Sequence, residues 1–205
     1  MSVFNTEHRS ESLPARIAFT FLESASAACE EQVRAARGEG LPTLQASILV
    51  RVLSRPDRES TVGELAAALH LTPPTISDSL KALLGKGLVK RRRSPEDGRV
   101  VFFGLTRKGR ETAQRIGCWG DQFEQSIRRL DPDKQVALMG CLTRLLRSQV
   151  EEGYLLPESM CASCVYLESR SVSPDVWACA INGGEFDNSL LSTGCLKHVP
   201  LQSSG

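Results

Sequence analysis

The sequence predicts a mainly α-helical protein with a small β-hairpin, and three observations predict it. Apolar residues recur at three- and four-residue spacing through most of the first 150 positions, the period of helices with one buried face. One stretch breaks that period: Leu88 to Leu105 holds Lys90-Arg91-Arg92-Arg93, Asp97-Gly98-Arg99 and Val100-Val101-Phe102-Phe103. It reads as two strands around a basic loop. The last quarter loses helical periodicity and gathers four of the seven cysteines, so it reads as a tail organised by a metal rather than by apolar side chains.

The elements follow in order. Residues 1–12 mix acids, bases and polar residues and read as a disordered leader, without the apolar run of a secretory signal. Pro14 to Arg37 is a helix with Ile17, Phe21, Ala25, Ala28 and Val33 near one face, ended by Gly38 and Gly40. Leu41 to Leu53 is a second helix, broken by Arg55-Pro56-Asp57. Thr61 and Glu64 make a capping box, with Val62, Leu65, Ala66 and Leu69 buried behind it. After Leu71, Thr72 caps the next helix and Pro73-Pro74 occupy its first turn, where a missing N–H costs nothing. Ile76, Leu80, Leu83 and Leu84 form its inner face, and Gly85 and Gly87 end it. Two short helices joined this way are a helix–turn–helix. The outward residues Thr72, Pro74, Thr75, Ser77, Asp78 and Lys81 are then free to meet base edges or phosphates.

The hairpin comes next. Lys108 to Leu130 reads as a fifth helix weakened by Gly117 and Gly120, and Asp131-Pro132 open a sixth with Leu138, Cys141, Leu142, Leu145 and Leu146 recurring along it. The long amphipathic helices near each end form a plausible dimer seam.

Charge is segregated along this order. Residues 86–110 hold nine Lys/Arg against two Asp/Glu, while residues 151–205 hold two against seven, although the whole chain is only +1. A solvated basic loop beside a helix–turn–helix suits the nucleic-acid backbone. Strand alternation points Arg91 and Arg93 one way and Lys90 and Arg92 the other, so one pair should reach phosphates. No apolar run approaches a membrane span, and no nucleophile–base pair, phosphate loop or paired-carboxylate motif supports catalysis. The expectation is a cytoplasmic protein, not an enzyme, with reduced thiols.

Thr61-Val62-Gly63-Glu64-Leu65-Ala66, Pro73-Pro74-Thr75-Ile76-Ser77, Gly87-Leu88-Val89, Asp97, Arg99 and Leu105-Thr106-Arg107-Lys108-Gly109 resemble the MarR family of winged-helix transcriptional regulators, over roughly residues 13–150. The resemblance implies a winged helix-turn-helix in an obligate homodimer built from the N- and C-terminal helices. It implies a recognition helix in the major groove of double-stranded DNA, Arg99 in the minor groove and Asp97 as the carboxylate orienting it. A guanidinium so held suits the negative potential of a narrow minor groove. Two positions depart from the family. Gly98 stands where another arginine is frequent, and Asp78 where a basic residue is common. Asp78 would accept from a cytosine amino group or pair with Lys81. A small-molecule effector between dimer helices and DNA-binding lobes is also compatible, with Trp119 and Phe123 as lining or as core.

The domain at 13–150 leaves 151–205 as the cysteine-rich tail: Cys161-Ala-Ser-Cys164, then Cys179, Cys195 and His198. CxxC puts two thiolates within reach of one ion or one cluster. An iron–sulfur cluster, [4Fe–4S] or [2Fe–2S], would take Cys161, Cys164, Cys179 and Cys195. That spacing loosely resembles the cluster-binding tails of winged-helix repressors of iron–sulfur assembly genes. A structural zinc would take Cys161 and Cys164 with Cys179 and Cys195, or with Cys195 and His198. Thiols that form disulfides on oxidation are a third alternative. Tyr166, Trp177, Ala178 and Ala180 would supply an apolar shell. The leading expectation is therefore a DNA-binding regulator, a repressor, whose tail senses redox or iron status by shifting the population of DNA-competent dimers. A regulator with a structural zinc tail stands second, and a metal-binding interaction protein is the remote alternative.

Overall fold

A computed structural model describes residues 2–54, 60–154, 160–169, 175–195 and 197–201. The helix break assigned to Arg55-Pro56-Asp57 lies outside the described residues. The chain divides into two compact units, Met1–Glu124 and Gln125–Gly205. The sequence reading put its boundary after residue 150, so the last long helix falls in the second unit with the tail.

The first unit opens with a correction. The leader expected to be disordered carries α1, Thr6–Glu11, whose first turn is closed by the Asn5 side chain accepting from the His8 N–H at 2.9 Å. Such a cap satisfies one of the donors a helix start leaves orphaned. Ser12 likewise caps α2, Leu13–Gly38. Only Ala15 and Ala36 of α2 are buried, while Ile17, Phe21 and Leu22 are exposed. α3 (Thr43–Leu53), α4 (Val62–Ala68) and α5 (Pro73–Gly85) pack around Ile48, Leu49, Leu65, Ile76, Leu80 and Leu83. Both halves of the Thr61–Glu64 capping box form, and Thr72 caps α5 with the two prolines in its first turn. The α4–α5 turn passes through His70 at φ +53°, a left-handed backbone that few non-glycine residues adopt.

Strands β1 (Val89–Arg93) and β2 (Val101–Leu105) pair antiparallel, Val89 opposite Leu105 and Arg93 opposite Val101. Ser60 adds a third rung by exchanging both backbone hydrogen bonds with Phe103, at 3.0 and 2.8 Å. The hairpin is anchored at its base. The Thr106 hydroxyl donates to the Gly87 carbonyl at 2.7 Å and accepts from the Gly109 N–H at 2.9 Å. A Cβ on Gly109 would stand 1.7 Å from the Leu88 carbonyl oxygen, so only glycine lets the next helix begin this close to β1.

The predicted fifth helix is two, α6 (Arg107–Gly117) and α7 (Trp119–Arg128), parted at Cys118. The break falls directly after Gly117, where the intrinsic helix preference is weakest.

In the second unit, Asp131 caps α8, Pro132–Glu151. The tail forms a three-stranded antiparallel sheet of β3 (Leu167–Ser169), β4 (Val176–Cys179) and β5 (Glu185–Asp187), with β4 central. It does have an apolar cluster: Cys164, Leu167, Trp177 and Leu191, with Met139 of α8, Tyr166 and Phe186 against it. α8 contributes Gly140, Thr143 and Val150 as its buried residues. Of its expected stripe, Leu145 and Cys141 are exposed and Leu138, Leu142 and Leu146 are half-buried. Helix packing thus supplies the apolar surface that the tail's own composition lacks. Among the described residues, no helix is long and apolar enough to cross a membrane.

Candidate nucleic-acid interface and cysteine pocket

α5 separates two faces. Ile76, Leu80 and Leu83 are buried, whereas Thr72, Pro74, Thr75, Ser77, Asp78 and Lys81 are all exposed on the described surface. The 3.6-residue period brings the last four to the side opposite the core. The Thr72 and Thr75 hydroxyls share a 2.8 Å hydrogen bond, which ties the cap to the first outward residue. Among the described residues Asp78 and Lys81 form no ion pair, so the aspartate's i,i+3 alternative is not taken up here.

The hairpin register sorts the arginines. Arg91 is opposite Phe103 and Arg93 opposite Val101, on the face that carries Val89 and Leu105 into the core. Arg92 lies on the other face with its guanidinium 5.4 Å from the centre of the Phe102 ring, a cation–π distance. Arg91 and Arg93 remain exposed because the hairpin runs beyond the core.

At the tip, Ser94 Oγ accepts from the N–H groups of Glu96 and Asp97, at 3.2 and 3.3 Å. Asp97 Oδ1 accepts from the backbone N–H of Arg99 at 2.9 Å, and the Val100 N–H closes on the Asp97 carbonyl at 2.9 Å. Asp97 therefore orients Arg99 through its main chain, as an Asx turn; among the described residues its carboxylate makes no ion pair with the guanidinium. Sequence reasoning missed Ser60, whose pairing partner lies 43 positions away, and Arg51, whose Nη2 donates to the Ala68 carbonyl at the end of α4, at 3.1 Å. Neither carries a local signal. Phe123 is exposed and Trp119 half-buried.

The second site is in the tail. Cys161, Cys164, Cys179 and Cys195 all line one cavity of about 340 Å³, walled also by Tyr166, Leu167, Ile181, Leu190 and Phe186. All four are free thiols, Cys164 buried and the others half-buried. Burial pushes the Cys161 thiol above its ordinary range; the Ser192 backbone N–H, donating to its sulfur at 3.2 Å, pulls the other way, and Cys195, Cys164 and Cys179 add to the rise as negative neighbours. A cation beside Cys161 would oppose that rise, since positive charge favours the thiolate. Among the described residues, however, no three Cys, His, Asp or Glu side chains stand close enough to hold a single metal ion.

His198 does not line the cavity. Its Nε2 is 2.9 Å from the Ser163 hydroxyl, part of a terminal strap in which Val165 and Leu201 bond Val199 and Ser163 through the backbone. Of the expected apolar shell, Tyr166 lines the cavity, while Trp177 is buried behind it and only 1% exposed. Lys197 and Asn182 also reach the wall, joined by a 3.2 Å hydrogen bond.

Comparison with known proteins places the first unit. Residues 39–100 match the model of the MarR family, less than a third of the chain but spanning α3 to the hairpin tip. Two curated relatives are the uncharacterized HTH-type transcriptional regulator YdgJ of Bacillus subtilis, 27% identical over 88 residues, and the transcriptional regulator AdcR of Streptococcus pneumoniae, 26% identical over 90 residues. Each alignment covers 42% of this chain, and 54% and 62% of the respective relative; the chain thus spans a little over half the length of the curated relatives it matches. Among solved structures, S. aureus MepR in its DNA-binding conformation superposes with TM-score 0.56 at 22% identity, over 64% of this chain and 97% of that one. The S. aureus MepR–DNA complex superposes with TM-score 0.52 at 23% identity, over 64% and 96%. These two show a shared fold: mainly helical, with a small antiparallel wing.

Proposed function

We propose that this protein is a DNA-binding transcriptional regulator that acts as a homodimer, with α5 as its recognition helix and the hairpin as its wing. The observation that carries the reading is the exposed polar face of α5 followed at once by a hairpin whose arginines stay in solvent. Structural similarity to a MepR–DNA complex and sequence similarity to a transcriptional regulator support it. The uncovered Ile17, Phe21 and Leu22 on α2 support the homodimer, because contiguous exposed apolar residues on a helix are ordinarily covered by a partner. Replacing Arg99 with Ala tests the DNA role. Affinity for duplex DNA should fall by about tenfold or more, and the slope of binding against salt should drop by about one ion. Unchanged affinity would leave the interaction-protein reading in its place.

We further propose that the cavity holds an iron–sulfur cluster through Cys161, Cys164, Cys179 and Cys195, which makes the regulator responsive to redox or iron status. Four thiols lining one cavity, two of them in a CxxC pair, support the reading. A bound cluster would supply one-electron chemistry and sensitivity to oxidants; the protein's part is to orient the thiolates and exclude water. The zinc set that includes His198 is less favoured because that ring is engaged with Ser163. Anaerobic purification followed by metal and sulfide analysis decides: brown protein with iron and acid-labile sulfide is expected, whereas colourless protein with one zinc per chain would replace the cluster by a structural ion.

A further inference from the structure

We propose that α8 is the scaffold of the cysteine cavity, with Arg144 and Arg147 as positioning residues for the thiol set. The proposal rests on the reading of the cavity as a cluster site, but its geometry stands without any occupant.

Residues 140, 144 and 147 share one face of α8 by helical spacing, and each meets a different cysteine-bearing segment. Arg147 Nη1 donates to the Cys164 carbonyl at 3.2 Å, and Glu151 steadies the same guanidinium at 3.1 Å. This fixes the Cys161–Cys164 loop. Arg144 stands over the Trp177 ring at 4.8 Å, two residues before Cys179 on β4. Gly140 abuts Asn188, where a Cβ would lie 2.3 Å from the amide nitrogen.

Asn188 joins these contacts. It is 1% exposed, accepts from Trp177 Nε1 at 2.6 Å and donates to Asp175 at 3.0 Å. The turn it opens leads to Ser192, which makes two hydrogen bonds with Cys161: the Cys161 N–H donates to the Ser192 carbonyl at 2.8 Å, and the Ser192 N–H donates to the Cys161 sulfur. Cys195 follows three residues later. The Cys161–Cys164 loop and the strand bearing Cys179 thus meet α8 directly, and Cys195 follows the turn that Asn188 opens.

The choice of arginine is informative. Among the described residues, Arg144 Nη2 is buried with no hydrogen-bond partner, a costly state that an apolar side chain of similar volume would avoid. A cation there is favoured by a segment in which residues 151–205 carry seven acids against two bases.

The test uses the reduced full-length chain and the variants R144Q, R147Q and R147K. Alkylation by iodoacetamide is followed cysteine by cysteine by mass spectrometry, with exposed Cys29 and Cys118 as internal references. R147Q should speed labelling of Cys161 and Cys164 severalfold and R144Q that of Cys179, with the references unchanged; R147K, which keeps a donor, should lie between. In protein reconstituted with iron and sulfide, each Gln variant should also lose its visible absorbance severalfold faster in air. Folded variants whose four tail cysteines label at the wild-type rate would overturn the proposal. Should R147Q fail to fold, the R147K rates decide in the same way. Failure to incorporate iron and sulfide would remove the cluster reading alone, because the alkylation rates judge the two arginines without it.

Discussion

Cys161 is the residue where burial, a backbone donor and three thiols act on one sulfur. The sign of the result sets its reactivity. Only the thiolate attacks an alkylating agent, and burial holds this thiol protonated to higher pH than an exposed one. Cys161 should therefore label more slowly than exposed Cys29 near neutral pH, and the gap should narrow as pH rises; residue-resolved alkylation across a pH series checks it. The same shift destabilises the tail in alkali. The unfolded thiol ionises first, so stability present below the ordinary thiol range is lost as pH rises through the raised value. Asp97 shows how far residue chemistry was legible. The DxR pattern located the wing tip, but the carboxylate reaches the main chain of Arg99 rather than its guanidinium. Spacing cannot distinguish those two acceptor geometries, because both donors belong to the same residue.

At the scale of elements, what the chain declares locally is what could be read. Thr61 with Glu64, Thr72 with Pro73 and Pro74, and Asp131 with Pro132 each place a helix start within a few residues, since caps act over one turn. The split at Cys118 and the third rung at Ser60 were not legible, the first because a single glycine weakens a helix without deciding where it ends, the second because strand pairing carries no local mark. Gly109 was read only as part of a motif, yet it governs how α6 meets the hairpin. Gly109→Ala must move either the helix or Leu88, whose carbonyl accepts from Thr106. It should cost about 1–3 kcal/mol, the scale of overpacking a tight contact, seen as a lower urea midpoint with unchanged slope. A weaker effect would mean that the wing base yields more easily than its hydrogen bonds suggest.

For the whole molecule, long-range contacts were the part that composition hid. Arg115 of α6 grips Glu39, just past α2, through two hydrogen bonds of 2.7 and 2.9 Å. The hydrogen bond from Arg115 foremost holds the Glu39 carboxyl below its usual range, against a smaller opposing effect of burial. A lowered folded pKa contributes stability above the unfolded carboxylate range and loses it as pH falls through the lowered value. Glu39→Gln should therefore melt below the wild type at neutral pH, and the two curves should converge below about pH 4. An equal gap at every pH would assign the effect to packing. The tail too depends on a contact distant in sequence: Met139 of α8 packs against the cluster around Trp177.

That contact has a practical corollary for dissecting the protein. Ending the chain at Glu151 would not yield a winged helix cleanly relieved of its tail. It would strip α8 of the surface that shelters Gly140, Thr143 and Arg144, leaving a half-dressed helix prone to fray or to clump. Serine exchanges at the cavity cysteines leave that surface clothed, and so offer the cleaner way to probe the tail while the first unit stays whole.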